Sequence, residues 1–184
     1  MSPPRFLALA LSLSAAAALA SVVKAETFQQ SVDATPVIVR ARIGQVQTVR
    51  DEGRIWTFAE VEVLEKLKGN PTAHFIVRQS GGSYRDRTIE VSGAPKFESG
   101  EETVLFLEVA RDDPSMLLVH ALAAGKYNFE NDRFGKPRVF RHLNGLAFAA
   151  AGDKTIQRVG TEEDDGTPQE FLARLKKAIA GGAK

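Results

Sequence analysis

VIVRARIGQVQTV, residues 37–49, decides the fold class of this chain. Apolar residues occupy every second position from 37 to 43, and Ile38, Arg40 and Arg42 stand between them. This period of two is typical of a β-strand with both faces partly apolar. The phase changes at Gly44, which predicts a bulge or a sharp bend. Such a bend lets one long strand serve two sides of a barrel.

Further extended segments follow the DEGR turn at 51–54. Gly69 and Pro71 cut short the one stretch with helical spacing, 64–68, so it is assigned to the end of a strand. TVLFLEVA is apolar on both faces, which predicts a central strand. No helical crossover separates the segments, so seven or eight antiparallel strands are expected, closed into a barrel that leaves few open edges. The segments are 54–69, 74–79, 87–93, 103–110, 116–122, 126–131 and 136–143.

Two helices are predicted at the ends of this β region. ETFQQSVDATP, residues 26–36, favours one or two helical turns that stop at Pro36. TPQEFLARLKKAIAGG, residues 167–182, begins with a capping box between Thr167 and Glu170, with Pro168 at the first helical position. Its apolar stripe and terminal Gly181 and Gly182 complete the signal for a C-terminal helix packed on the barrel.

Residues 1–25 resemble a secretory signal peptide: one early arginine, an apolar run, and small residues around Ala25. A cut after Ala20 is an alternative, and a retained anchor is another, since the run is near the minimum for spanning a bilayer. No cysteine follows for lipid attachment. The expected domains are therefore 1–25 signal peptide, 26–146 β-barrel, 147–166 flexible connector with one weak strand near 155–159, and 167–184 helix. The expected location is the periplasm or the exterior.

Composition excludes several functions. The chain has no cysteine, which excludes a thiol nucleophile, a cysteine zinc site and disulfides. Removing Arg5 and Lys24 with the signal segment leaves 22 basic and 23 acidic residues. A nucleic-acid-binding protein would show a basic excess, so nucleic acid is not expected as a partner. No cofactor motif occurs.

RQSGGSYRDR, residues 78–87, raises the question of a phosphate-binding loop. A P-loop joins a strand to a helix and carries a lysine, whereas a strand follows here, so a hairpin turn at Gly81-Gly82 is predicted. If the chain has a ligand surface, we expect it at this turn, as a weak anion-binding rim. Its residues would be Arg78, Ser83, Tyr84, Arg85 and Arg87.

Other candidate sites are weaker. The three histidines, His74, His120 and His142, lack the close spacing of zinc ligands, so no metal site is predicted. Glu60 and Glu62 share a strand face at a separation of about 6.5–7 Å, within the range of glycosidase carboxylates. Many strands meet that spacing by chance, so the pair is interpreted as part of a solvated barrel exterior. The acidic run 162–165 could bind calcium weakly, since calcium takes clustered carboxylates. The run lacks the ligand spacing of an EF-hand loop. Five aromatic residues are expected either to pack in the core and across strands or to form a sugar-stacking platform. They are Trp56, Phe58, Phe75, Tyr84 and Phe97.

The order of several motifs resembles a group of uncharacterised exported bacterial proteins. They are ATPVIVRARIGQV, EVEVLEKLKG, SGG, VSGAPKFESGEETVLFLE and LAAGKYNF, within residues 34–130. Members of that group look like small oligonucleotide/oligosaccharide-binding (OB) barrels, akin to netrin-like domains and tissue inhibitors of metalloproteinases. The resemblance implies a mainly β, antiparallel OB-like barrel with a C-terminal helix, and it implies no activity. The inhibitors' zinc-capping N-terminal cysteine is absent, so no functional residue carries over.

The functional hypothesis is a secreted or periplasmic binding module without catalytic activity, whose partner is a protein or a glycan. Two alternatives remain open: a protease inhibitor of netrin-like type and a hydrolase that uses acids such as Glu60 or Glu62.

Overall fold

The structure is a computed structural model that describes residues 21–149, 156–158 and 161–182. Thirteen strands, two α-helices and one 3₁₀ helix lie in these ranges. In chain order they are β1 Ser21–Lys24, α1 Phe28–Ala34, β2 Val37–Asp51, β3 Arg54–Lys68, β4 His74–Ser80, β5 Gly82–Tyr84, β6 Arg87–Ile89, β7 Glu102–Val109, β8 Leu117–Val119, the 3₁₀ helix Leu122–Gly125, β9 Lys126–Asn131, β10 Pro137–His142, β11 Leu146–Ala149, β12 Ile156–Arg158, β13 Glu162–Asp164 and α2 Pro168–Gly182.

The two longest strands, β2 and β3, form a hairpin that confirms the opening prediction. They pair antiparallel from Ile38 opposite Lys68 to Asp51 opposite Arg54. The register shifts between Ile43 and Val46, around Gly44, where the phase change predicts a bulge. The turn carries Glu52 and Gly53 at positive φ, as a tight hairpin turn requires.

An eight-stranded sheet forms the body of the protein, in the order β13-β10-β9-β7-β2-β3-β4-β8. The predicted mainly β fold is confirmed, and β7 lies in the centre as expected. β8 pairs with β7 as well as with β4, so a path of paired strands runs β7-β2-β3-β4-β8 and returns to β7. The prediction of purely antiparallel pairing was wrong in two places, because β4 with β8 and β1 with β11 are parallel.

Alternation along β2 and β7 sends apolar side chains to both faces of the sheet, as expected for buried central strands. One face packs against α1 and α2 through a cluster that includes Ile38, Phe106 and Phe171. The other encloses a second cluster that includes Val39, Leu105 and Val77. Helix α2 therefore contributes to the core of the same unit as the sheet.

The helical turns expected within 26–36 form α1, and α2 begins at the predicted capping box. In α1, Thr27 accepts a hydrogen bond from the Gln30 amide and the Gln30 side chain accepts one from Thr27, which completes a capping box. In α2, Thr167 and Glu170 exchange the same pair of bonds. The predicted stripe is buried at Phe171 and Leu175 and partly buried at Leu172 and Ile179.

Three strand boundaries differ from the prediction. The strand expected at 87–93 ends at Ile89, the last residue of β6. Gly81 and Gly82 have positive φ but bend the chain into β5, and the hairpin turn falls at Arg85-Asp86 between β5 and β6. The expected strand at 116–122 ends at Val119, because Ala121 and Leu122 adopt left-handed φ and lead into the 3₁₀ helix. A period-two pattern of apolar residues indicates neither the bend at Gly81 and Gly82 nor the left-handed turn at Ala121 and Leu122.

The segment after residue 146 carries strands as well as loops. β11 and β12 pair with each other, and β13 pairs with β10. The weak strand expected near 155–159 corresponds to β12. Residues 1–20, which hold most of the expected signal segment, lie outside the described residues. In the described part, no helix is long and apolar enough to cross a membrane.

Candidate functional site

The predicted ligand surface is only partly assembled. Ser83, Tyr84, Arg85 and Arg87 lie together on the β5–β6 hairpin, where Ser83 Oγ is 2.9 Å from Thr88 Oγ1. The Arg85 guanidinium stacks on the Tyr84 ring, 5.4 Å from its centroid. Ser83, Arg85 and Arg87 are exposed and Tyr84 is half-buried, so the four residues form a rim at the surface.

Arg78 is already engaged by other groups. It lies on β4, its side chain is 12% exposed, and it forms a salt bridge with Asp112. Its guanidinium also lies over the Trp56 ring, 4.6 Å from the centroid. This arginine therefore stabilises the contact between β3, β4 and the loop after β7.

A cleft of about 920 Å³ opens beside the hairpin. One wall is the segment 88–98, and the other is formed by β9, by His142 at the end of β10 and by Asn144 and Gly145 before β11. Ser83 is the predicted ligand residue that lines it. The polar and charged side chains that line the cleft include Gln79, Glu90, Lys96, Glu98, Glu101, Lys126, Asn128, Glu130 and His142.

Strand β9 supplies the cleft floor by simple alternation. Lys126, Asn128 and Glu130 line the cleft, while Tyr127 and Phe129 pack in the cluster under the helices. Lys126 and Asn128 are each 5% exposed. KYNFEN therefore carries a polar face at positions i, i+2 and i+4. This alternation is visible in the sequence, but the prediction of a strand at 126–131 did not identify its polar face as a candidate site.

Lys126 is a buried cation on this floor. Its Nζ lies 2.8 Å from Glu101 Oε2, and 5.5 Å from the centroid of the Phe97 ring. Burial lowers the pKa of Lys126, and the charges of Glu101, Glu130 and Glu98 oppose that effect without cancelling it. The other Glu101 oxygen accepts a bond of 3.0 Å from the Glu98 amide. Glu101 is thus fully used within the protein.

Two amide side chains of the cleft have a carbonyl oxygen without a partner among the described residues. Asn128 Oδ1 and Gln79 Oε1 are buried and accept no hydrogen bond from the described residues. Leaving such an acceptor unpaired typically costs about 1–3 kcal/mol. Asn128 lies opposite Thr103 on β7 and Phe140 on β10. Its position in mid-sheet prevents the backbone from moving to supply a donor.

Backbone hydrogen bonds hold the wall at 88–98 at its middle and just beyond its last residue. The Gly93 carbonyl accepts a bond from Ala123, and Gly100 donates to the Ile43 carbonyl. Gly93 has φ +72°, and a Cβ there would clash with Leu146 Cδ2. Only glycine fits, so this residue type sets how closely the wall approaches β11.

Other candidate residues from the sequence lie apart from the cleft. Glu60 and Glu62 are exposed on β3, and Glu62 is 3.7 Å from Arg42. Two of the five aromatic residues weighed as a core or a sugar-stacking platform, Phe75 and Phe97, pack against the second core cluster. The close ring pairs in the described residues join other rings, those of Phe28, Phe106, Tyr127 and Phe171.

The acidic run 162–165 is paired with cationic groups. Glu163 and Asp165 bind Arg141, and Asp165 also binds Arg174 at 2.7 Å. Asp164 binds Arg138, while Glu162 is 3.4 Å from His142. Across residues 21–149, 156–158 and 161–182, no cluster of three or more ligating side chains is arranged to hold a metal ion.

The comparisons with known proteins add no relative: no family model matches the chain, and no curated protein matches it.

Proposed function

We propose that this protein is an exported binding module without catalytic activity, and that its ligand occupies the cleft between the 88–98 segment and β9. The observation that carries this proposal is Asn128, a residue only 5% exposed on the cleft floor whose side-chain carbonyl accepts no hydrogen bond from the described residues. Unpaired buried acceptors reduce stability, and a ligand in the cleft could supply the donor that this carbonyl lacks.

The size of the cleft suits this role. Small-molecule sites usually measure about 300–1,000 Å³ and combine a preformed shape with a few placed polar groups. At about 920 Å³ the cleft could hold a disaccharide, a short peptide end or a molecule of similar size. The wall tied down at Gly93 and Gly100 favours a preformed site, which lowers the entropy lost on binding.

We further propose that β2, β3, β4, β8 and β7 form an OB-like barrel. The return of the pairing path to β7 supports it, as does the parallel contact between β4 and β8. OB-type barrels commonly serve as binding modules. Export is proposed from the composition of residues 1–25, with the partner in the periplasm or outside the cell.

A ligand screen tests the binding function. Purified protein would be mixed with glycan, amino-acid and envelope-extract fractions, and binding followed by thermal shift and by NMR amide shifts. We expect a ligand that moves the amide signals of residues 90–98 and 126–130. Shifts confined to the Tyr84–Arg87 rim or to the Glu60–Glu62 surface would overturn the cleft as the site. Absence of any enriched ligand would overturn the binding function.

A further inference from the structure

This inference rests on the proposed function, and it concerns the chemistry of the ligand. We infer that the cleft recognises a small polar molecule that carries a protonated primary amine, of the kind found in amino sugars and polyamines. Three properties of the cleft lead to this ligand class: its charge, its unused hydrogen-bond acceptors and the cation it already holds.

The cleft has an excess of negative charge. Four carboxylates line it, against the ammonium groups of Lys96 and Lys126. Lys126 is matched by Glu101. The carboxylates of Glu90 and Glu98 have no ion-pair partner in the described structure, and both residues are exposed at the wall. A cleft with one dominant sign of charge concentrates ligands of the opposite sign.

Hydrogen-bond acceptors without a partner among the described residues line the cleft. The carboxylates of Glu90 and Glu98 and the amide oxygens of Asn128 and Gln79 all need N–H or O–H donors. A primary ammonium group offers three donors and a charge at one atom. Charge-assisted bonds of this kind are about twice as strong as neutral ones. A carboxylate or phosphate ligand would instead meet like charges.

Lys126 shows that the cleft can hold an ammonium group. Its Nζ is bonded to Glu101 at 2.8 Å, although the residue is only 5% exposed. Glu98 and Glu130 also act electrostatically on that position. A second ammonium group would enter on the open side of the cleft, toward Glu98 and Glu90. There it would meet carboxylates that the protein itself leaves unmatched.

The test uses pairs of probes that differ in charge but little in shape. Deacetylated chitobiose carries two amines, and N,N′-diacetylchitobiose is its neutral counterpart. Spermidine is an amine without a sugar ring, so it separates the two sources of the amine. Binding would be measured by calorimetry on the full mature protein near pH 6, where the amines are protonated, at low and moderate salt.

We expect deacetylated chitobiose, spermidine or both to bind about tenfold more tightly than the diacetylated sugar, with weaker binding at higher salt. Glu98→Gln and Glu90→Gln should each weaken amine binding several-fold. Glu52→Gln, an exposed acid in the β2–β3 turn, should leave it unchanged. All three are surface substitutions, so their unfolding curves should match that of the parent.

Three outcomes overturn the amine inference. One is equal affinity for the charged and neutral sugars. Another is loss of binding in Glu52→Gln equal to that in Glu98→Gln, which would place the amine elsewhere on the surface. The third is a lack of binding by every amine probe while the ligand screen yields a neutral or anionic ligand with shifts at 126–130. In that third case the binding function stands and only the ligand class fails.

Discussion

His120 Nε2 lies 3.0 Å from Glu26 Oε2, a contact that joins the segment before α1 to the end of β8 across 94 residues of sequence. The other ring nitrogen, Nδ1, lies 2.9 Å from Glu108 Oε2. Both partners are carboxylates, so the imidazolium form can donate to each. The side chains of His120 and Glu26 are 15% and 13% exposed, which limits screening by solvent.

The first prediction concerns the pH dependence of stability. Burial by itself lowers the pKa of His120, but the bonds to Glu108 and Glu26 outweigh it and raise that pKa. The stabilisation is therefore complete below the unfolded histidine pKa of about 6.5 and is lost as the pH rises through the raised folded value. Burial alone would raise the pKa of Glu26, but the bond from His120 outweighs it and lowers that pKa, so Glu26 adds stability above its usual value of 4.5. The contact therefore stabilises the fold most at a pH between the lowered pKa of Glu26 and the raised pKa of His120.

Urea unfolding at about pH 5.5 and pH 8.5 would measure this effect. From about pH 5.5 to pH 8.5, we expect the free energy of unfolding of the parent to fall by about 1 kcal/mol more than that of His120→Gln, by analogy with hydrogen bonds to charged groups. His74→Gln, at an exposed position on β4, serves as the control. Identical pH profiles for the parent and His120→Gln would contradict the prediction.

The second prediction concerns the N-terminal strand. Ser21–Lys24 pairs parallel with Leu146–Ala149, and Val23 packs beside Leu143 and Leu146. A chain that starts at Ser21 should therefore be more stable than one that starts at Glu26, by about 1–2 kcal/mol for the lost apolar contacts. Unfolding curves of the two forms would measure the difference. The intact mass of the protein purified from its native cells would show which form is produced. Equal stabilities would contradict a role for β1.

The third prediction concerns the cleft wall at Gly93. Gly93→Ala should reduce the free energy of unfolding by about 3 kcal/mol, because positive φ costs about 1–2 kcal/mol and overpacking adds about 1–3 kcal/mol. Leu146 is 4% exposed and cannot move aside freely.

Gly100→Ala is the matched control for this change. It has φ +89° and open space where a Cβ would lie, so it should show only the backbone strain of about 1–2 kcal/mol. Chemical denaturation of both variants gives the comparison. An equal loss in the two would mean that the contact with Leu146 contributes nothing.

The fourth prediction concerns Asn128. Asn128→Leu removes a buried acceptor without a partner, so it should raise stability by about 1 kcal/mol while abolishing ligand binding. Thr103→Val is the control at a neighbouring position, since Thr103 is also buried but donates a bond of 2.8 Å to the Tyr127 carbonyl. Thr103→Val should lower the free energy of unfolding by about 1 kcal/mol. Stability loss in Asn128→Leu would indicate that the amide supports the fold rather than a ligand.

Much of the fold could be predicted from local pattern. The phase change at Gly44 indicated a bulge, and the capping box at Thr167 fixed the start of α2, because each depends on neighbouring residues. The parallel contact between Val77 and Leu117 could not be predicted, since it joins segments far apart in sequence through one pair. The left-handed turn at Ala121 and Leu122 also lacks a glycine that would indicate it.

The candidate site was harder to predict than the fold. Sequence reasoning chose the glycine-rich stretch because its composition is unusual, and one of its five residues, Ser83, lines the cleft. The floor residues Lys126 and Asn128 stand in an ordinary strand pattern. They become notable only when β7 and β10 flank β9 and the 88–98 segment lies across it.

The contact between β4 and β8 depends on the single pair Val77 and Leu117, whereas β2 and β3 pair along nearly their whole length. Protein regions with few pairings open locally at lower free energy than the rest. Amide hydrogens in the contact between β4 and β8 should accordingly exchange with deuterium sooner than those of β2, whereas the pairing of β8 with β7 covers Leu117–Val119. Fluctuation would begin along this seam, and a disulfide engineered across it would be the most direct way to slow unfolding.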